Sequence, residues 1–159
     1  MKFAIFLLVL GGAFGLTPSP MTENHFLNFT PHQAHAHSGA TGIVKDRMDR
    51  FKASQDALKA IAAALKSGDF AAIEAPAQSI AQWGDEMVGY FPEGSNPSPS
   101  EARDEIWQEM NQFSAMAAAN AAAARRLLDL AKTDDPKAIK SGLNDLVGSC
   151  KACHQKFRQ

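Results

Sequence analysis

Four successive stretches of this chain carry apolar residues at steps of mostly three and four, and none alternates with a period of two. That spacing puts the apolar side chains on one side of a helix and leaves no material for a sheet. In the first stretch Val44, Met48, Phe51, Leu58, Ile61 and Leu65 form the stripe, and Ser67-Gly68 ends it. The second runs through Phe70, Ile73, Ala77, Ile80, Trp83 and Met87 to Tyr90, with Pro76 predicting a kink or a late start because proline removes a backbone donor. The third holds Ile106, Met110, Phe113, Ala117, Asn120, Ala124 and Leu127; Ser98, Pro99 and Glu101 read as its N-cap, first turn and capping box. The fourth opens on Asp135-Pro136 and carries Ile139, Leu143, Leu146, Cys150, Cys153 and Phe157. Four amphipathic helices joined by short links predict an all-α chain folded as an antiparallel four-helix bundle.

The charge balance narrows the partners. With 16 basic against 17 acidic residues in 159, the formal net charge is -1, which offers neither a nucleic-acid footprint nor a polybasic tract for anionic lipid. The N-terminus carries Lys2 followed by FAIFLLVLGGAFGL, an apolar run that suits a secretory signal and falls short of the ~20 residues a stable membrane span needs. Residues 1–36 therefore read as a signal peptide and leader, and 37–159 as the bundle domain, exported to the periplasm. Ala34-His35-Ala36 is a candidate cleavage site, although far downstream of the apolar run; cleavage nearer Leu16 or Pro20, or retention as a weak anchor, stays open. The GGAFG run falls in the leader, and no nucleophile–base constellation stands out, so no enzymatic activity is expected.

The two cysteines of the chain lie three apart, with a histidine directly after the second: CKACH, residues 150–154. On a helix Cys150, Cys153 and His154 share one sector of the surface. Structural zinc asks for four ligands, and the remaining histidines, His25, His32, His35 and His37, all precede the first helix. A redox dithiol belongs at a helix N-terminus, where the dipole lowers a thiol pKa, not in the last turns. A disulfide at this spacing within a regular helix is strained and closes a tiny loop. C-x-x-C-H is also the signature of covalent haem attachment, with both sulfurs forming thioethers and the histidine binding iron, and this reading uses every residue of the motif.

SCKACHQKFR at the end of a four-helix pattern, together with IVKDRMDRFK at the start of its first helix and EIW in the third, resembles the class II c-type cytochromes: cytochrome c′ and its low-spin relatives. The resemblance covers about residues 40–159. It implies one haem c held through Cys150 and Cys153 with His154 as the proximal iron ligand. It also implies that Arg47 lies near a haem propionate and Arg158 near the haem, against the plainer reading of each as a solvated surface arginine. The position four after the helix-one arginine faces the iron in the family, and here it is Phe51, which has no lone pair to give. Met48, on the same face, is the competing distal ligand or else packs beside the porphyrin; Met87, Met110 and Met116 are further pocket candidates. The expected function is one-electron carriage between redox partner proteins, the alternative being binding of nitric oxide or carbon monoxide at a vacant distal site. The resemblance also raises a homodimer.

Overall fold

The computed structural model of the chain describes residues 39–159. The expected leader, the Ala34-His35-Ala36 site and His25, His32, His35 and His37 lie outside the described residues. Five helices follow one another: α1 over Gly42–Ser67, α2 over Glu74–Glu86, α3 a single turn over Glu105–Gln108, α4 over Met110–Ala131 and α5 over Pro136–Phe157. The four longer ones are the antiparallel bundle that the periodicity predicts, with α2 and α5 flanking α4, and α1 laid against α2. The α1–α5 pairing is the sparsest of the bundle. Among the described residues there is no strand, only an isolated antiparallel bridge between Ala102 and Arg158.

Local chemistry accounts for most boundaries. Gly68 takes the left-handed conformation, φ 77°, and its N–H donates to Ala64 O, closing α1 as a glycine can and a branched residue cannot. Pro76 falls in the first turn of α2, where its missing N–H has no intrahelical acceptor to lose. Of the two outcomes foreseen for it, the late start is what occurs, and a 3-10 turn over Phe70–Ile73 fills the gap. Asp135 caps α5 by accepting from the N–H groups of Lys137 at 2.9 Å and Ala138 at 3.3 Å, with Pro136 in the first turn.

The third helix does not begin at Ser98. Residues 91–104 form an irregular link, α3 lasts one turn, and Glu109 breaks the helical path at φ -124°, ψ 41° before α4 starts. Competing partners take the groups that a helix from Ser98 would use. The Ser95 and Ser100 hydroxyls accept from the Arg47 guanidinium. The Arg103 N–H donates to Phe157 O at 3.0 Å, and the Gln159 N–H to Glu101 O at 2.9 Å. The Glu101 carboxylate, expected to complete a capping box, pairs with Arg158 instead.

The core divides along the bundle axis. At one end Ile61, Ile73, Ile80, Leu127, Ile139 and Leu146 are closed off from solvent, each such side chain contributing about 1.5–3 kcal/mol by burial. At the other end Trp83, Met87, Phe91, Ile106, Phe113 and Phe157 form an aromatic cluster, with Phe51, Met110, Met116 and Cys153 packed against it. That second end is where the cysteine–histidine motif sits, with Cys153 packed against the cluster.

Candidate haem site

Cys150, Cys153 and His154 occupy the last turns of α5 and are all half-buried, while Phe157 on the same face is fully buried. Neither cysteine is in a disulfide. Burial pushes both thiols up: Cys153 to about 11, aided by the nearby Cys150, and Cys150 upward against hydrogen bonds from Asn120 and Ser149. Burial also holds His154 below its ordinary value, with the positive charge of Arg158 acting in the same direction and Glu101 opposing. The imidazole is thus kept neutral, with a lone pair to offer.

The facing wall comes from α1. The Phe51 ring lies 6.1 Å from the His154 ring, centroid to centroid, at 71° between planes. It also meets Trp83 edge-on at 5.2 Å and Phe91 at 6.5 Å, and Phe91 continues to Phe113 at 4.8 Å. Met48 is half-buried and packs into neither core cluster among the described residues. Of the two side chains weighed for the distal side, Phe51 is the one brought against His154. Met87, Met110 and Met116 all pack in the aromatic cluster.

Arg47 is not a solvated surface residue. It is 2% exposed, donates from Nη1 to Tyr90 O at 3.3 Å and Ser95 Oγ at 2.8 Å, and from Nη2 to Ser95 O and to Ser100 Oγ at 2.6 Å. Its guanidinium also lies 4.4 Å above the Phe91 ring. No carboxylate among the described residues pairs with it. Arg158, by contrast, is exposed and ion-paired to Glu101.

Three participants escape the sequence reading. Arg50 bonds Glu86 at 2.8 Å and the Tyr90 hydroxyl at 2.6 Å, tying α1 to α2 beside Phe51. Asn120 reaches from α4 to Cys150. The Trp83 indole N–H is buried with no acceptor among the described residues. A polar residue amid a stripe of alanines is the available signal for Asn120; nothing in the sequence marks the other two.

These observations fit a haem. The thiols are unbridged, the imidazole is neutral, the opposite wall is aromatic, and a buried cation beside it has no carboxylate partner among the described residues. A haem held here would supply an iron centre that changes oxidation state by one electron, and the residues that would hold it are His154 through its ring nitrogen, Cys150 and Cys153 through their sulfurs, and the apolar walls around them.

Comparison with known proteins agrees. The family described as Cytochrome C′ matches residues 42–158. The chain belongs to the cytochrome c′ family. It is 34% identical over 119 residues to cytochrome c′ of Pararhodospirillum photometricum, covering 73% of this chain and 95% of that one. The solved cytochrome c′ of Rhodopseudomonas palustris superposes with a TM-score of 0.67 at 29% identity, covering 76% of this chain and 98% of that one. A cytochrome c′ described for its ligand-controlled dimer dissociation gives a TM-score of 0.67 at 25% identity, covering 73% and 93%. Membership makes this a c-type haem protein.

Proposed function

We propose that the chain carries one haem c, bound through thioethers at Cys150 and Cys153 with His154 on the iron, and serves as an exported, periplasmic one-electron carrier with no substrate of its own. The observation that carries this is the placement of the two sulfurs and a neutral imidazole on one half-buried face of α5, opposite an aromatic wall. Half-burial suits an electron carrier, because the site is dry enough to hold the cofactor and open enough for a partner protein to approach. The buried guanidinium of Arg47, with no carboxylate partner among the described residues, supports its reading as the partner of a haem propionate.

Binding of nitric oxide or carbon monoxide is a second reading, favoured by the Phe51 ring facing His154, since phenylalanine gives iron no sixth ligand. Ferric and ferrous absorption spectra of the purified holoprotein, with and without carbon monoxide, separate the two. A high-spin ferrous form that takes up carbon monoxide readily excludes Met48 as ligand. A low-spin form that loses this character in Met48→Ala excludes the vacant site. Failure to retain haem through acid-acetone extraction would end the haem reading. The dimer described for a relative supports a homodimer here, to be checked by analytical ultracentrifugation with and without carbon monoxide. The mass of the protein recovered from the periplasmic fraction tests export and locates the cleavage site.

A further inference from the structure

Among the described residues the buried polar side chains are Arg47 and Asn120. Asn120 shares its stripe with Ala117, Ala121 and Ala124, all buried. An amide left unsatisfied there would be destabilising, so its bonds decide what it does. Its Nδ2 donates to Ser149 Oγ at 2.9 Å and to Cys150 Sγ at 3.3 Å, and the Ser149 hydroxyl donates onward to Leu146 O at 2.7 Å. The amide nitrogen therefore reaches from α4 to two adjacent residues of α5, and one of its bonds ends on a sulfur.

A buried amide that merely fixes the register of two helices needs one partner across the interface, and Ser149 is that partner. The bond to Cys150 is additional. It is also selective, because no side chain among the described residues donates a hydrogen bond to Cys153. The positive end of the amide dipole is thus set against one of the two sulfurs, in a buried setting where dipoles are weakly screened.

We propose that Asn120 is a positioning residue for the haem: it holds the Cys150 sulfur by a hydrogen bond and, through it, raises the reduction potential. This rests on the haem reading above. The sign follows from charge. The reduced centre carries one positive charge fewer, so the positive end of a dipole at the edge of the macrocycle favours it over the oxidised centre. Hydrogen bonds and burial are among the levers by which a protein sets a haem potential.

The test is a redox titration of the full haem-loaded protein in three forms: wild type, Asn120→Leu and Ser149→Ala. Mass spectrometry of the haem peptide confirms that both thioethers are present in each. Asn120→Leu is expected to shift the potential negative, and Ser149→Ala, which also takes a hydrogen bond from the Cys150 sulfur, to shift it by distinctly less, although both lower the unfolding midpoint. An unmoved potential in Asn120→Leu, or an equal shift in Ser149→Ala, overturns the proposal and leaves a register lock. Should Asn120→Leu not fold, the wild type alone decides. Its thioether C–S vibration in the resonance Raman spectrum should move on exchange into D2O, and no movement overturns the proposal. Wild type that retains no haem fails the haem reading itself, and this inference with it.

Discussion

Replacing Gly84 by alanine should loosen the bundle at the end that holds the motif. A Cβ there would lie 2.8 Å from Ala121 Cβ, 2.9 Å from Ala121 N and 3.0 Å from Ala117 O. Comfortable contact between carbons begins at about 3.5 Å, and two of these three atoms are α4 backbone, so α2 and α4 must separate by several tenths of an ångström. Overpacking costs about 1–3 kcal/mol, and against backbone atoms that cannot turn aside the upper part of that range applies, about 2–3 kcal/mol. Alanine's better helix propensity returns about 1 kcal/mol. A net loss of about 1–2 kcal/mol remains, which at roughly 4 °C per kcal/mol lowers the thermal midpoint by about 4–8 °C. Gly142→Ala is the natural comparison, since its close contacts, Leu130 Cδ1 at 2.7 Å and Leu127 Cδ1 at 3.3 Å, are ends of side chains that can turn aside. Urea unfolding of both holoproteins, followed by circular dichroism and by haem absorbance, should show the larger loss in Gly84→Ala. A Gly84→Ala protein as stable as wild type, or less affected than Gly142→Ala, would refute the reasoning.

Arg47→Met removes the guanidinium bonds to Ser95, Ser100 and Tyr90 O, and should cost about 2–4 kcal/mol, because bonds to a charged group are worth about 1.5–3 kcal/mol each before desolvation is subtracted. Limited proteolysis should then cut the 91–104 link faster than in wild type, and unchanged cleavage would count against the tether. Asp135→Ala strips two N–H groups of their acceptor and should lower stability by about 1 kcal/mol, read from the denaturation midpoint. In the haem-free chain burial depresses the pKa of His154 from 6.5, so the stability gained by keeping its ring neutral is complete above 6.5 and is lost as the pH falls from 6.5 through the lower folded-state value. The His154 ring protons of the haem-free protein, followed by nuclear magnetic resonance, should therefore titrate with a midpoint below 6.5; a midpoint at or above 6.5 would contradict the burial.

The helical frame is legible in the sequence because its signals are local. Gly68, Pro76 and the Asp135-Pro136 pair act within one turn of themselves, and the apolar spacing needs no knowledge of the partner helix. Cys150, Cys153 and His154 are legible for the same reason, being close together in sequence. Ser98 misleads because its neighbours are claimed from afar: Ser95 and Ser100 serve an arginine on α1, and Glu101 serves Arg158 at the far end of α5. Arg47 is unreadable as a buried strut since its acceptors lie in a link with no periodic pattern. Asn120 looks like one more stripe position, and only the α4–α5 packing shows what its amide meets.

The pairing of Phe51 with His154 joins the first bundle helix to the final turns of the last, spanning nearly the whole described chain. Residues 101–103, midway along, are likewise held by Phe157, Arg158 and Gln159. Ile139 and Leu146 of α5 are buried in the aliphatic end as well, so neither end of the core closes until α5 is in place. The three residues Phe157, Arg158 and Gln159, just beyond the motif, are thus the latch of the domain, fastening the last helix to the irregular link and with it the face that Phe51 covers.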